Sequence, residues 1–431
     1  MSDSTIDYQK LRLDGVYQQN AKGDLMLRIK IPAGVLSAEQ ALKISAISEH
    51  FSNGELHLTT RGSIELHWLR HENLGTVAAQ LAAVGLTSRG ACGGAVRGIS
   101  CSTTFAPGFE TAQALARRLH RHFAGNPHFE GLPKKFKVSV DTSYQGARHL
   151  IQDVGLVHVG DRHYDVWIAG GLGREPQPGF LFEKQVAEER LIPLIEAIVR
   201  CYRKHTLPPK RLKFLANQVG QARLRELIRA EQTGAPESFP FRVLEQSLTP
   251  SPTAAGIVEF PVFTGELPAA HLRRLATIAA EQGGGFLAVT ANQNLAFIPA
   301  DNQARQAIEA ALDASGLTTA TRGAETTFRV CPGNHLCRMG LAPTRDIARQ
   351  VLDVLGPKGR MLSWAISGCL NSCAQPQLAD AGILVTRAVK DADGERQPRF
   401  SLLLREGEGF GTELASDLSL EELLQAVAEL G

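Results

Sequence analysis

The sequence predicts an α+β protein built by internal duplication, with two related halves facing each other across a pseudo-twofold axis. Residues 34–69 align with residues 265–300 without a gap, and apolar character recurs at matched positions. Identical residues recur at Gly34/Gly265, Leu36/Leu267, Ala38/Ala269, Ile47/Ile278, Gly54/Gly285, Leu56/Leu287 and Thr59/Thr290. Each copy has one helical stretch followed by two alternating, strand-like stretches. The length of 431 residues exceeds the usual size of one hydrophobic core and suggests two or three domains.

The elements of the first copy follow from its capping and periodicity. Ser37 and Gln40 form a capping-box signature that predicts a helix beginning after Ser37. The next apolar residues keep a helical period and are Ala41, Ile44, Ile47 and Phe51. After Gly54, two stretches alternate apolar and polar residues, with Leu56 and Leu58 in the first and Ile64, Leu66 and Trp68 in the second. The intervening "TRGS" is predicted to turn between two strands.

The similarity between the halves continues more weakly, and the halves differ where chemistry would reside. "DVGLV" at Asp153 resembles "DAGILV" at Asp380. The second half carries clustered cysteines, whereas the first has Arg61 where the second has Asn292, together with a basic stretch "LPKKFKV". One half is therefore suited to hold a metal group and the other an anion. Residues 231–255 are rich in Pro, Ser and Thr, which is typical of a linker.

The composition excludes several classes of protein. Lys and Arg total 46 against 44 Asp and Glu, so no bulk charge favours nucleic acid or an anionic membrane. No apolar run approaches the roughly 18 residues that span a bilayer, and the N-terminus has no signal-peptide pattern. Seven cysteines, an odd number, argue for reduced thiols rather than a disulfide framework. We therefore expect a cytoplasmic protein with no nucleic-acid or membrane partner.

Four of the cysteines form two close pairs, Cys331 and Cys337 in "VCPGNHLCRM" and Cys369 and Cys373 in "SGCLNSCAQP". Burial in a core would explain a single cysteine, and it is the interpretation for Cys92, Cys101 and Cys201. A structural zinc site usually has shorter spacers than the first pair. An iron–sulfur cluster takes four thiolates from wider loops, in which Gly and Pro free backbone N–H groups to point at sulfur. The spacing favours an iron–sulfur cluster, with zinc as the alternative.

The cysteine spacing, with "GC-x-N-SCA" around the last pair, resembles the sulfite and nitrite reductases that contain sirohaem and a [4Fe–4S] cluster. "GVYQQNAKGDLMLRIKIPAGVLSAEQ", "LHLTTRGSIELH", "GACGGAVRGISC", "LPKKFKVSV" and "TANQNL" occur in that family's order. The resemblance implies two ferredoxin-like half-domains alternating with two sirohaem-binding α+β domains. The implied bounds are 15–85 and 256–318 for the half-domains, 86–235 and 319–431 for the sirohaem-binding domains, and 236–255 for the linker.

The same resemblance implies the residues that hold the two cofactors. Cys331, Cys337, Cys369 and Cys373 would ligate the [4Fe–4S] cluster, and Cys373 would also contact the sirohaem iron. Further positions that match the family's cofactor-binding motifs are His67, Asn292 and Asn371. A buried strand histidine with its polar needs met in the core is an equally good explanation of His67.

Four cations lie in matched motifs and predict a pocket for an oxyanion. They are Arg61 in "TTRGS", Arg97 in "AVRGISC", and Lys135 and Lys137 in "KKFK". Fixed cations in a dry pocket stabilise developing negative charge and relay protons. Lys135 and Lys137 are two residues apart in a strand-like stretch, so both side chains are expected on one face. Any one of them alone would be explained as an ordinary surface cation.

The implied activity is the six-electron reduction of sulfite to sulfide or of nitrite to ammonia, with electrons passing from the cluster to sirohaem; the sequence does not choose between the two anions. No dinucleotide fingerprint is present, so we expect a separate electron donor, ferredoxin or a flavoprotein subunit. Two alternatives stay open. Gly62 in "TTRGS" also occurs in the family's cobalamin branch, a precorrin synthase that hydroxylates a tetrapyrrole. A non-enzymatic cluster-carrying electron-transfer subunit would not need the four cations.

Overall fold

The computed structural model describes residues 6–102, 108–232, 256–317, 326–391 and 393–430, and the predicted linker at 236–255 lies outside them. Its strands are β1 (Val16–Gln18), β2 (Leu25–Ile29), β3 (Val35–Ser37), β4 (Glu55–Leu58), β5 (Ile64–Leu69), β6 (Ser100–Cys101), β7 (Val138–Asp141), β8 (Val154–Gly160), β9 (His163–Ile168), β10 (Phe180–Ala187), β11 (Val258–Phe260), β12 (Glu266–Pro268), β13 (Phe286–Val289), β14 (Leu295–Phe297), β15 (Phe328–Val330), β16 (Trp364–Ser367), β17 (Ala381–Lys390), β18 (Arg396–Leu404) and β19 (Thr412–Leu418).

The helices alternate with these strands and cover the sheets. They are α1 (Tyr8–Leu11), α2 (Ala38–Phe51), α3 (Leu74–Ala83), α4 (Phe109–Phe123), α5 (Glu188–His205), α6 (Leu212–Gln232), α7 (Ala269–Gln282), α8 (Asn302–Ser315), α9 (Gly333–Leu336), α10 (Thr344–Val354), α11 (Pro357–Met361) and α12 (Leu420–Ala428). None of the helices in the described ranges is both long and apolar enough to cross a membrane.

Two small sheets form the half-domains, and each includes a strand from the other repeat. The first has the order β1-β2-β5-β4-β12 and the second β11-β14-β13-β3. Leu267 of β12 lies opposite Leu56 of β4, and Leu36 of β3 lies opposite Leu287 of β13. Because β3 and β12 occupy equivalent positions in the two repeats, this exchange is symmetrical. The predicted duplication about a pseudo-twofold axis is confirmed.

Helix α2 has the predicted capping box. Ser37 Oγ accepts from the backbone N–H of Gln40 at 3.2 Å, and Gln40 Oε1 accepts from the backbone N–H of Ser37 at 3.0 Å. The buried stripe that includes Ile44 and Ile47 packs towards α7, and Ser45 Oγ donates to Ala269 O at 2.7 Å. Each fully buried aliphatic side chain contributes about 1.5–3 kcal/mol. One apolar core therefore joins the two half-domains.

The two larger sheets have the same topology. The orders are β10-β9-β8-β7-β6 and β15-β16-β17-β18-β19. In each sheet three strands are parallel, β6 to β8 and β15 to β17, and the remaining pairings are antiparallel. Carboxyl ends of adjacent parallel strands meet at one edge of a sheet. The loops that follow β15 and β16, which carry the four cysteines, are therefore neighbours.

Candidate active site

The fold brings the two cysteine loops into contact at the carboxyl ends of β15 and β16. The Cys331 N–H donates to Ile366 O at 3.1 Å, and the Gly368 N–H donates to Cys331 Sγ at 3.1 Å. Further backbone N–H groups reach the sulfurs of Cys337 and Cys369 from Met339 and Asn371. Hydrogen bonds of this kind stabilise thiolate sulfur, as a metal-bound cysteine requires.

Burial makes ionisation of Cys331, Cys337 and Cys369 unfavourable in the absence of a metal. Burial raises the pKa of Cys331 well above its ordinary value and that of Cys337 to about 11, and it also raises the pKa of Cys369. The charge of Cys373 raises the pKa of all three further. Bound cations are needed to hold such a group deprotonated. No three His, Cys, Asp or Glu side chains of the described ranges lie close enough together to hold a single metal ion.

Two loops of the half-domains hold the cysteine loops in place. Thr60 Oγ1 donates to Cys373 O at 3.0 Å and accepts from Gln375 Nε2 at 3.0 Å. Gln293, which is buried, donates through Nε2 to Val330 O at 3.1 Å and accepts through Oε1 from Val330 N at 2.6 Å. Val330 directly precedes Cys331. Gln293 lies in the motif "TANQNL" but was not among the residues predicted for the site.

Arg61 reaches from the turn between β4 and β5 into the first large domain. Its Nη1 donates to Gln152 Oε1 at 2.7 Å, and its Nη2 donates to Gly98 O at 2.9 Å and to Val138 O at 3.3 Å. Burial, and then the charge of Arg97, lower the pKa of Arg61 to about 9. Three acceptors thus fix the guanidinium in a site where other cations are already present.

Arg97 is fixed by its own loop. Its Nη2 donates to Gly93 O at 2.9 Å and its Nη1 donates to Ala91 O. Its buried Nε has no hydrogen-bond partner among the described residues. Two backbone carbonyls therefore hold the guanidinium of Arg97 in place.

Lys135 and Lys137 flank Phe136, whose ring lies in the core and whose backbone bonds to Ala95 and Arg97. The two lysines therefore lie on the face opposite the core. Burial, and then the charge of Arg211, lower the pKa of Lys135 to about 8. Burial, and then the charges of Arg61 and Lys135, lower the pKa of Lys137 well below its ordinary value.

The lysines of the first half lie close to the last cysteine of the second. The charge of the Cys373 thiolate opposes the lowering of the pKa of both Lys135 and Lys137. A hydrogen bond joins the same parts of the protein, since Thr60, which directly precedes Arg61, donates to Cys373 O at 3.0 Å. The cations and the second cysteine loop are therefore neighbours, although more than half of the chain separates Lys137 from Cys373 in sequence.

The region contains further cations that no sequence motif had indicated. Lys30 is buried, with its Nζ donating to Val96 O at 3.2 Å, and burial lowers its pKa to about 7. Arg211 is buried beside Asp153, and burial lowers the pKa of Lys213 to about 8. The chain has 46 Lys and Arg residues, and no local sequence pattern distinguishes these cations from the others. Only burial separates these residues from surface cations.

The remaining predicted cofactor residues differ in what surrounds them. Asn371 lies in the second cysteine loop and bonds to Cys369. Asn292 is half-buried in the turn between β13 and β14. His67 is buried in β5, with Nδ1 3.2 Å from Gln19 Oε1 and Nε2 3.6 Å from Glu65 Oε2. Among the described residues His67 Nδ1 has a partner and Nε2 has no hydrogen bond, so the core meets only part of its polar needs and its role at a cofactor stays a prediction.

The donor set fits a cluster together with an anionic macrocycle. Backbone N–H groups reach the sulfurs of Cys331, Cys337 and Cys369 at one end of the site. At the other end, four cations are half-buried: Arg61, Arg97, Lys135 and Lys137. The acids nearby are already paired with other cations: Asp153 with Arg211, Glu65 with Arg28 and Asp141 with Arg148. Buried charge is costly unless it is balanced. Carboxylates of a tetrapyrrole and an oxyanion substrate would supply the missing negative charge.

Comparison with known proteins gives consistent results. The family model "Nitrite/Sulfite reductase ferredoxin-like half domain" matches residues 17–84 and 252–315, and "Nitrite and sulphite reductase 4Fe-4S domain" matches residues 92–236. Sulfite reductase [ferredoxin] 2 of Mycolicibacterium paratuberculosis is 25% identical, over 90% of this chain and 75% of that protein. Ferredoxin–nitrite reductase of Synechococcus elongatus is 27% identical, over 86% of this chain and 78% of that protein.

A solved structure supports the fold over nearly the whole length. The Mycobacterium tuberculosis NirA protein superposes with a TM-score of 0.82 and 23% identity, covering 99% of this chain and 87% of NirA. The two family models together match more than half of the chain. The resemblance inferred from the motifs is thereby confirmed, as are the duplicated fold and the two cofactors. The chain belongs to the nitrite and sulfite reductase family, oxidoreductases that carry a [4Fe–4S] cluster and sirohaem.

Proposed function

We propose that this chain reduces sulfite to sulfide or nitrite to ammonia, taking six electrons from a separate donor. The observation that carries the proposal is that the turn holding Arg61 contacts both large domains, because Thr60 Oγ1 donates to Cys373 O at 3.0 Å and Arg61 Nη2 donates to Gly98 O at 2.9 Å. Relatives named sulfite reductase [ferredoxin] and ferredoxin–nitrite reductase support both the anions and the donor. An electron carrier without catalysis would have no use for a pocket of this charge.

Cys331, Cys337, Cys369 and Cys373 would hold the cluster, and Cys373 would also face the sirohaem iron. When bound, the two cofactors supply electrons to the anion one at a time. The loops stay in position because Thr60 holds the Cys373 carbonyl and Gln293 holds the strand that leads to Cys331. The chain thus fixes the thiolates from both half-domains.

The cations bind the oxyanion and supply protons. Arg61 and Arg97 are fixed by backbone and side-chain acceptors, and a guanidinium binds an oxyanion through two parallel N–H donors. Each oxygen that leaves as water needs protons. Lys135, with a pKa of about 8, is mostly protonated at neutral pH and releases a proton more readily than an exposed lysine. We assign proton donation to Lys135 and Lys137 and anion binding to the two arginines.

Anaerobic purification with iron, sulfide and sirohaem tests the proposal. The protein should show tetrapyrrole and cluster absorbance, and it should form sulfide from sulfite or ammonia from nitrite with reduced methyl viologen. NADPH alone should not support turnover. Cluster absorbance without tetrapyrrole would instead support the electron-transfer subunit. Hydroxylation of an added precorrin, without reduction of either anion, would support the cobalamin branch.

A further inference from the structure

The backbone of Lys137 is held by one neighbouring acid. The buried Asp153 accepts from the Lys137 N–H through Oδ2 at 2.8 Å. In the other direction, the N–H groups of Asp153 and Val154 both donate to Lys137 O at 3.0 Å. Three hydrogen bonds therefore fix the point from which the Lys137 side chain projects.

Asp153 is paired with an arginine that is equally buried. Arg211 is 4% exposed, and its Nη2 donates to Asp153 Oδ2 at 2.7 Å and to Gly170 O at 3.2 Å. A Cβ at Gly171 would lie only 2.2 Å from Arg211 Nη1, so the guanidinium fits because residue 171 is glycine. The pair is packed tightly between the start of β8 and the loop after β9.

The second repeat provides an internal comparison. Asp380 precedes β17 as Asp153 precedes β8, and it accepts from the Ser363 N–H at 2.8 Å just before β16. Asp380 is exposed, and no cation of the described residues forms an ion pair with it. The hydrogen bond to the start of the neighbouring strand is thus common to both halves. The arginine partner belongs to the half that carries the anion site.

We infer that the Asp153–Arg211 pair is a positioning element of the anion site, which fixes Lys137 and adds positive charge beside it; this inference rests on the proposed function. The stability of the fold does not require the Asp153–Arg211 ion pair. The second repeat makes the same strand contact with an exposed aspartate, and a buried ion pair is weak evidence for stability. Arg211 instead bonds the same Asp153 oxygen that holds the Lys137 N–H, and its positive charge lowers the pKa of Arg61, Lys135 and Lys137. Gln152, the acceptor of Arg61, directly precedes Asp153 in the chain.

The test compares Asp153→Asn with Asp380→Asn in the enzyme loaded with both cofactors. Asparagine can still accept the strand N–H in either place, so the two variants differ in the loss of the arginine pair. The double variant Asp153→Asn with Arg211→Met avoids an unpaired buried charge, because replacing a whole buried pair is often close to neutral for stability. The measurements are cofactor content, melting temperature, kcat and KM for sulfite and nitrite, and the sulfite Kd from the sirohaem absorbance.

Misplacing a group in a site by about 1 Å costs up to about 10²-fold in rate. We expect both Asp153 variants, at full cofactor content, to weaken sulfite binding about tenfold and to lower kcat/KM about 10- to 100-fold, with Asp380→Asn within about twofold of wild type. Wild-type binding and kcat/KM in the two Asp153 variants would overturn the inference. So would an equal loss in Asp380→Asn, or losses explained entirely by cofactor content. A wild-type enzyme that reduces neither anion would instead overturn the proposed function.

Discussion

A methyl group at Gly333 should disrupt the first cysteine loop. Gly333 lies between Cys331 and Cys337 at a φ of +57°. A Cβ there would lie 2.3 Å from Thr344 Oγ1 and 2.5 Å from Ala342 O. Thr344 Oγ1 donates to Cys331 O at 2.5 Å, so its displacement also removes a bond to the cysteine backbone. The Gly333→Ala variant therefore has both a strained backbone and an overlap next to two cluster ligands.

The magnitude follows from these two contributions. A left-handed conformation costs a residue with a Cβ about 1–2 kcal/mol, and overpacking a filled site costs about 1–3 kcal/mol. We therefore expect Gly333→Ala to lower the free energy of unfolding by about 2–5 kcal/mol. Gly316→Ala is the matched control, because Gly316 has a φ of +69° and, apart from its chain neighbours, no atom of the described residues lies within 4 Å of its added Cβ. Gly316→Ala should therefore lose only the backbone contribution to the free energy of unfolding, about 1–2 kcal/mol.

The assay is urea unfolding of both variants without cofactors, followed by iron content after anaerobic reconstitution. Gly333→Ala should unfold at lower urea than Gly316→Ala and bind less iron than wild type, since the displaced loop no longer places both cysteines. Gly316→Ala should bind iron normally. Equal unfolding free energies in the two variants, with full iron in each, would refute the assignment of this loop to the cluster.

Three further predictions concern the site. Cys373→Ser should lower bound iron and abolish turnover, because a hydroxyl is a poor substitute for a soft thiolate. The control Cys201→Ser, in the core, should keep both iron and turnover, as measured by iron analysis and kcat. A four-iron cluster with normal turnover in Cys373→Ser would contradict the prediction. Arg61→Asn should keep both cofactors and lower kcat/KM for either anion about 10²–10³-fold; wild-type kinetics at full loading would remove Arg61 from the site. Because Lys135 can donate a proton only below its pKa of about 8, kcat for nitrite should fall as pH increases through that value, whereas Lys135→Arg, which does not release a proton, should have a low kcat without that fall; identical pH profiles would exclude Lys135 as the proton donor.

The sequence by itself determined the features that depend on local pattern. The capping box at Ser37, the apolar period of α2 and the turn after Thr59 are set by neighbouring residues, and all three are present in the structure. The gap-free repeat indicated the duplication because two copies of one fold keep the same periodicity. The cysteine spacing and its flanking motifs indicated the family, which the comparisons confirm.

Tertiary structure alone decided which segments meet and which charges are buried. The exchange of β3 and β12 depends on pairing between segments more than two hundred residues apart, and no local pattern specifies such a partner. Lys30 and Arg211 look in sequence like any surface cation, yet the fold surrounds both with protein. His67 likewise acquired Gln19 as a partner only through folding. Desolvation and Coulomb energy depend on the neighbours in space, so the composition of the charged site was settled by the packing of the two halves.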